Sequence, residues 1–209
     1  MIMWAAQPQR GPAAPPGTYS ARITANGETR TVAFEVGLDP RLAADGVTVA
    51  DLQEQFALSV KIRDAVTEAN RAVLAIRSIR AQVEERMQKI PPRRKAEIQK
   101  LADSLLQTLG AVEAEVYQVQ NRSSQDPLNY PIKLNNKIAA LAGVVESADN
   151  KPTAQSYEVF TELNQALAQQ LGTMKKALDS DLPRLNTALG REKVAPVDPA
   201  APPPAPPRP

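Results

Sequence analysis

The side chains that could carry acid–base chemistry in this sequence are carboxylates: Glu84-Glu85, Glu113 with Glu115, and Asp179 with Asp181. Two carboxylates are enough for glycoside hydrolysis, one as acid and one as nucleophile or base. Each pair, however, falls in a helical stretch at a separation of one or two residues, where side chains do not face each other. The spacing fits solvated helix faces. The rest of the common catalytic repertoire is absent, because the chain has no His and no Cys. That removes Ser-His-Asp and Cys-His nucleophiles, His- or Cys-based zinc centres and the Glu-x-x-His di-metal sites of helix bundles. It also removes disulfides. No Gly-rich phosphate loop is present. The expectation is a chain without a catalytic constellation and without a metal or cofactor.

Three further motifs invite a functional reading. Arg93-Arg94-Lys95 is the only basic triplet. At a helix start the macrodipole slightly disfavours it, and it reads as a solvated turn. Asn121-Arg122-Ser123 fits the N-glycosylation sequon, a short pattern common by chance. The segment Leu128-Asn129-Tyr130-Pro131-Ile132-Lys133-Leu134-Asn135-Asn136-Lys137 is the most unusual. Asn is a poor helix former, yet Asn135 and Asn136 occupy the first turns of a helix. Asn129, Tyr130, Asn135, Asn136 and Lys137 form a candidate structural polar cluster. It would bond either to the preceding loop or across the helices.

The elements that must position these groups are helices. Of the 209 residues 43% are hydrophobic but only 4% aromatic, so Ala, Leu and Val must fill the core. Charge is balanced, 25 basic against 23 acidic, which gives no field for nucleic acid or an anionic membrane. No apolar run reaches the length of a membrane span. The opening Met1-Ile2-Met3-Trp4-Ala5-Ala6-Gln7-Pro8 lacks a basic n-region and does not read as a signal peptide.

Residues 1–16 read as a linker. Tyr19, Ala21 and Ile23 alternate on one face, Asn26-Gly27 follows, and Val32, Phe34 and Val36 alternate again. This is a β-hairpin with one apolar side, over 17–41 including Asp39-Pro40-Arg41. A lone hairpin is marginal in water. Its face needs either further strands of a β-sandwich, the favoured reading, or the helices. From 48 to 190 an antiparallel bundle of four long helices is expected, at about 48–90, 93–120, 131–149 and 153–190. The first carries Leu52, Phe56, Ser59, Ile62, Val66, Ala69, Val73, Ile76, Ile79, Val83, Met87 and Ile90 at alternating steps of three and four, a supercoil seam. Its excess length keeps open an exposed stripe that recruits a partner helix. Thr48 is the expected N-cap, with Asp51 three residues on. Ser180-Asp181-Leu182-Pro183 should kink or restart the last helix. Residues 195–209, mostly Pro and Ala, are expected to be a disordered or polyproline tail.

The order Ala14-Pro15-Pro16-Gly17-Thr18-Tyr19, hairpin, Asp39-Pro40-Arg41, long helix, Asp126-Pro127-Leu128-Asn129-Tyr130-Pro131-Ile132-Lys133-Leu134-Asn135-Asn136-Lys137 and Pro152-Thr153-Ala154-Gln155-Ser156-Tyr157 resembles the C-terminal region of large bacterial sortilin-like proteins. These carry β-propellers of neuraminidase-type repeats and are often labelled glycosyl hydrolases. The resemblance covers residues 10–190. It implies that the hairpin ends an immunoglobulin-like sandwich and that the parent protein is exported. It also implies that catalysis, if any, belongs to the propeller, none of whose repeats occur in this sequence. The expected function is a non-catalytic structural or interaction module. Its partners would be the preceding propeller and immunoglobulin-like domains, and its docking surface Tyr19, Ile23, Val32, Phe34 and Val36. The alternatives are a free-standing coiled-coil adaptor that self-associates, and a fragment of a glycoside hydrolase.

Overall fold

A computed structural model of the chain describes Met3 and residues 11–202. Readings that fall on residues 4–10 and 203–209 lie outside the described residues. The described chain is mainly helical, with one antiparallel hairpin followed by five α-helices. The hairpin pairs β1 (Gly17–Ala25) with β2 (Glu28–Val36). Asn26 and Gly27 both have positive φ, 51° and 82°. The type I′ turn that the Asn-Gly pair demands is therefore formed.

The first helix, α1 (Pro40–Ala44), is one the sequence reading did not anticipate. Asp39 caps it through the Arg41 N–H, 2.8 Å, and pairs with the Arg41 guanidinium. The Arg41 side chain, followed by its N–H, holds the Asp39 carboxyl below the usual carboxylate range. Helix α2 (Val49–Gln88) opens on the expected capping box: Thr48 Oγ1 accepts from the Asp51 N–H, and Asp51 accepts from the Thr48 N–H. At ~1.5 Å per residue α2 is a rod of ~60 Å.

Helices α3 (Pro92–Val116), α4 (Leu134–Val145) and α5 (Ala154–Arg191) pack with α2 around one continuous core. Ile62, Ala69, Val73, Ile76, Ile79, Val83, Met87 and Ile90 of the expected seam are all buried in it. They meet Ile98, Leu105, Leu109, Val112, Ile138, Leu141, Leu167, Leu182, Leu185 and Leu189. Most of the seam is thus consumed within the chain, with α4, α3 and α5 all packed against α2, while Leu52, Phe56 and Val66 are half-buried.

Helix ends depart from expectation where side chains or tertiary contacts claim the backbone. Helix α3 stops at Val116 rather than near 120, because Tyr117 turns to an extended conformation beneath Arg77. Helix α4 begins at Leu134 rather than at Pro131, whose carbonyl instead accepts from Gln118 Nε2 at 2.8 Å. Its last turn is closed by buried Gln55 of α2, which donates to the carbonyls of Val145 and Ala148 at 2.7 and 2.6 Å. Helix α5 runs unbroken through Pro183. Pro183 and Asp179 are both exposed, so water can serve the carbonyl that the proline leaves without a donor, while buried Leu182 and Leu185 hold the axis. Ser180 does not cap a new helix; its hydroxyl donates to the Lys176 carbonyl at 2.8 Å.

The largest correction concerns the tail. Residues 195–202 are not disordered. Helix α5 ends in a Schellman reversal: Lys193 sits at φ 60°, its N–H reaches Gly190, and the Val194 N–H reaches Leu189. The chain then lies along α2 and α5. Val197 is only 2% exposed. Asn186 accepts from the Val197 N–H at 2.8 Å and donates to its carbonyl at 3.0 Å. Gln82 does the same for Asp198, at 2.9 and 2.8 Å. Ser78 Oγ donates to the Ala201 carbonyl at 2.9 Å. Two side-chain amides thereby replace the backbone partners that a Pro-rich segment cannot find in itself.

Candidate functional site

Cross-strand pairing sets which hairpin side chains share a face. Tyr19 opposes Phe34, Ala21 opposes Val32, and Gly17 opposes Val36. Ile23 lies opposite Arg30 in the same row. Directly opposed residues of an antiparallel pair project to the same side. Tyr19, Ile23, Val32, Phe34 and Val36 are therefore brought together, as the alternation requires. The other side is polar, with Thr24 and Thr29 sharing a hydrogen bond of 2.9 Å. The Tyr19 and Phe34 rings stack with centroids 6.1 Å apart. The Tyr19 hydroxyl donates to the Pro15 carbonyl at 2.6 Å, tying the entering segment to β1.

Among the described residues no helix packs against either strand. Ile23 is 66%, Val32 62% and Phe34 47% exposed. Of the two ways to cover this face, folding back onto the helices is not the one observed. Nothing in the helical part calls for it, since that part closes its own core.

The polar cluster is only partly assembled. Asn135 and Asn136 are buried, and Asn135 Nδ2 donates across to Asn70 Oδ1 of α2 at 3.1 Å. Asn135 thus bonds across the helices. Asn129 is exposed and Tyr130 half-buried in the preceding loop, and Lys137 is exposed on α4. That loop is organised by Asp126, whose carboxylate accepts from the N–H groups of Arg122 and Ser123. The Arg122 N–H, then that of Ser123, keep the Asp126 carboxyl below its ordinary range. The sequon asparagine, Asn121, is 6% exposed, so its amide is not presented for glycosylation. Arg94 of the basic triplet pairs with Glu97 and with Glu192.

The carboxylate pairs separate. Glu85 binds Lys89 and Arg86, Glu115 binds Lys133, and Asp179 binds Lys175, each of these carboxylates being exposed. Glu113 is the exception to the solvated-face reading, with a side chain only 3% exposed. Its Oε1 accepts from Arg77 Nε at 2.7 Å and its Oε2 from Arg80 Nη2 at 2.8 Å. The Arg77 guanidinium also lies 4.9 Å from the centre of the Tyr117 ring. These residues line an open cleft of about 730 Å³ together with Gly110, Val119, Asn121 and Arg122. Sequence reasoning missed this constellation. Arg77 and Arg80 stand one helical turn apart on α2, but nothing local links them to a glutamate 33 residues further along.

Among the described residues no group of three or more His, Cys, Asp or Glu side chains is placed to hold a metal ion. No helix among them is long and apolar enough to cross a membrane. No protein-family model, curated protein or solved structure matches the chain significantly.

Proposed function

We propose that this chain is a non-catalytic interaction module. In this reading three long helices and the shorter α4 form a rigid antiparallel bundle, and the hairpin in front of it is the docking element. The observation that carries the reading is the contrast between the two parts. The helices bury their apolar stripes completely enough to close a core, whereas a nine-residue pair of strands leaves Ile23, Val32 and Phe34 largely in water. A two-stranded ribbon with one apolar face gains stability by joining a larger sheet or packing on another sheet. The occupant we assign is the β-strand face of an immunoglobulin-like domain. That is the neighbour implied by the resemblance to the C-terminal region of sortilin-like propeller proteins, and any hydrolase activity would belong to the propeller.

The test combines a gene and a protein. The DNA upstream of the Met1 codon is expected to encode a propeller followed by an immunoglobulin-like sandwich. That sandwich, produced separately, should bind this chain with a Kd of about 1 μM or tighter. Phe34→Asp should weaken binding at least ~10-fold, while the melting of the helices stays within about 0.5 kcal/mol of the parent, as for a surface change. No such reading frame, or binding indifferent to Phe34→Asp, would overturn the assignment and bring forward a free-standing adaptor.

A further inference from the structure

The Glu113 cleft has more cationic donors than its own carboxylate uses. Arg77 and Arg80 each give Glu113 one N–H, and a guanidinium carries five. Their side chains remain 39% and 36% exposed, so the outer edges of both forks stay accessible from the cleft. Arg122 adds a third guanidinium to the lining, facing the same space from the loop after α3. Its charge is partly offset by Asp126. The lining thus holds three guanidiniums and one carboxylate. The Tyr117 ring fixes the plane of Arg77, so that less side-chain freedom is lost when a ligand arrives. Gly110 also lines the cleft, and a Cβ there would meet Arg80 Nη2 only at an ordinary contact distance of 3.8 Å. The amide oxygen of Asn121, also in the lining, is buried and has no hydrogen-bond partner; being an acceptor, it could take a hydroxyl or N–H donor of a ligand but not the oxyanion itself.

We propose that this cleft binds a small solute carrying an oxyanion, phosphate or carboxylate, held by the free edges of Arg77, Arg80 and Arg122. Arginine forks match both groups in bidentate fashion. A cleft of about 730 Å³ is within the size range of small-molecule sites. Glu113 then has two roles: it aligns the two arginines, and it competes with the incoming anion for their charge.

That competition gives the proposal a signature that a purely structural ion-pair cluster lacks. Side-chain NMR of the arginine Nε–H groups would be followed while inorganic phosphate, and separately citrate, is added to the full chain against sodium chloride at matched ionic strength. Saturable shifts at Arg77, Arg80 and Arg122 are expected with at least one of the two anions, and which one responds identifies the source of the oxyanion. Glu113→Gln should bind about 10-fold tighter, because the competing charge is gone. Arg122→Glu, an exposed position with no role in the core, should abolish saturation. Absence of saturable shifts with both anions, or chloride-like behaviour in the parent chain, would overturn the proposal. So would a Glu113→Gln variant that binds no tighter. Should Glu113→Gln not fold, Arg122→Glu decides: undiminished binding there would equally overturn it.

Discussion

Replacing Arg77 and Arg80 together by alanine is expected to destabilise the helical part by about 3–5 kcal/mol, the cost of leaving a buried charge without its partners. The reason lies in the asymmetry of burial. Glu113 has 3% of its side chain exposed, whereas its two partners are 39% and 36% exposed. Without the arginines the carboxylate is stranded against the α2–α3 contact and Tyr117 loses the guanidinium over its ring. The reverse change, Glu113→Gln, leaves two cations that water can still reach and should cost only about 1–2 kcal/mol. Urea denaturation of the two variants measures both. Equal losses would mean that Glu113 gains its hydration elsewhere and that the burial argument is wrong.

The second large effect is expected at the tail. Val197→Asp places a carboxylate in a slot that is 2% exposed and should undock residues 194–202. A charge in place of this buried valine should cost about 2 kcal/mol, or roughly a 30-fold change in the population of the released tail. Trypsin reports this directly, because Arg191 and Lys193 flank the reversal. Cleavage there should accelerate at least ~10-fold in Val197→Asp, provided that opening is fast relative to cutting. The double variant Gln82→Ala with Asn186→Ala should show the same direction. An unchanged cleavage rate would show that the tail is not held by these contacts.

What could be read from the sequence was local. Thr48 and Asp51 are three residues apart and specify a capping box wherever the rest of the chain goes. Asn26-Gly27 demands positive φ at both positions and so fixes the hairpin register, and with it the row of Tyr19, Ile23, Val32, Phe34 and Val36. The alternating steps of three and four from Ile62 to Ile90 place one stripe inward on any helix. What could not be read depends on partners far along the chain. The pairing of Glu113 with Arg77 spans 36 residues, and the clamp of Gln82 on Asp198 spans 116. Val194 and Val197 are two apolar residues in a Pro-rich run, too few to mark a buried segment without the groove that receives them. Pro183 is read correctly as a proline without a donor. Only the packing of Leu182 and Leu185 shows that the helix survives it. The Asn135 bond to Asn70 was one of two readings of an unusual Asn pair, and the packing of α4 on α2 selects it.

The central claim is that the apolar face of the hairpin is open and awaits a sheet, while the helices are complete without it. Amide hydrogen exchange on the dilute, monomeric chain tests this most directly. The account predicts exchange in the strands Gly17–Ala25 and Glu28–Val36 within about 100-fold of an unstructured peptide, as for an isolated ribbon. The interior amides of α2 and α3 should be slowed by at least ~10⁴-fold. Strand amides as strongly protected as those of α2 in the monomer would mean that the face is already covered within this chain, and the docking role would fall.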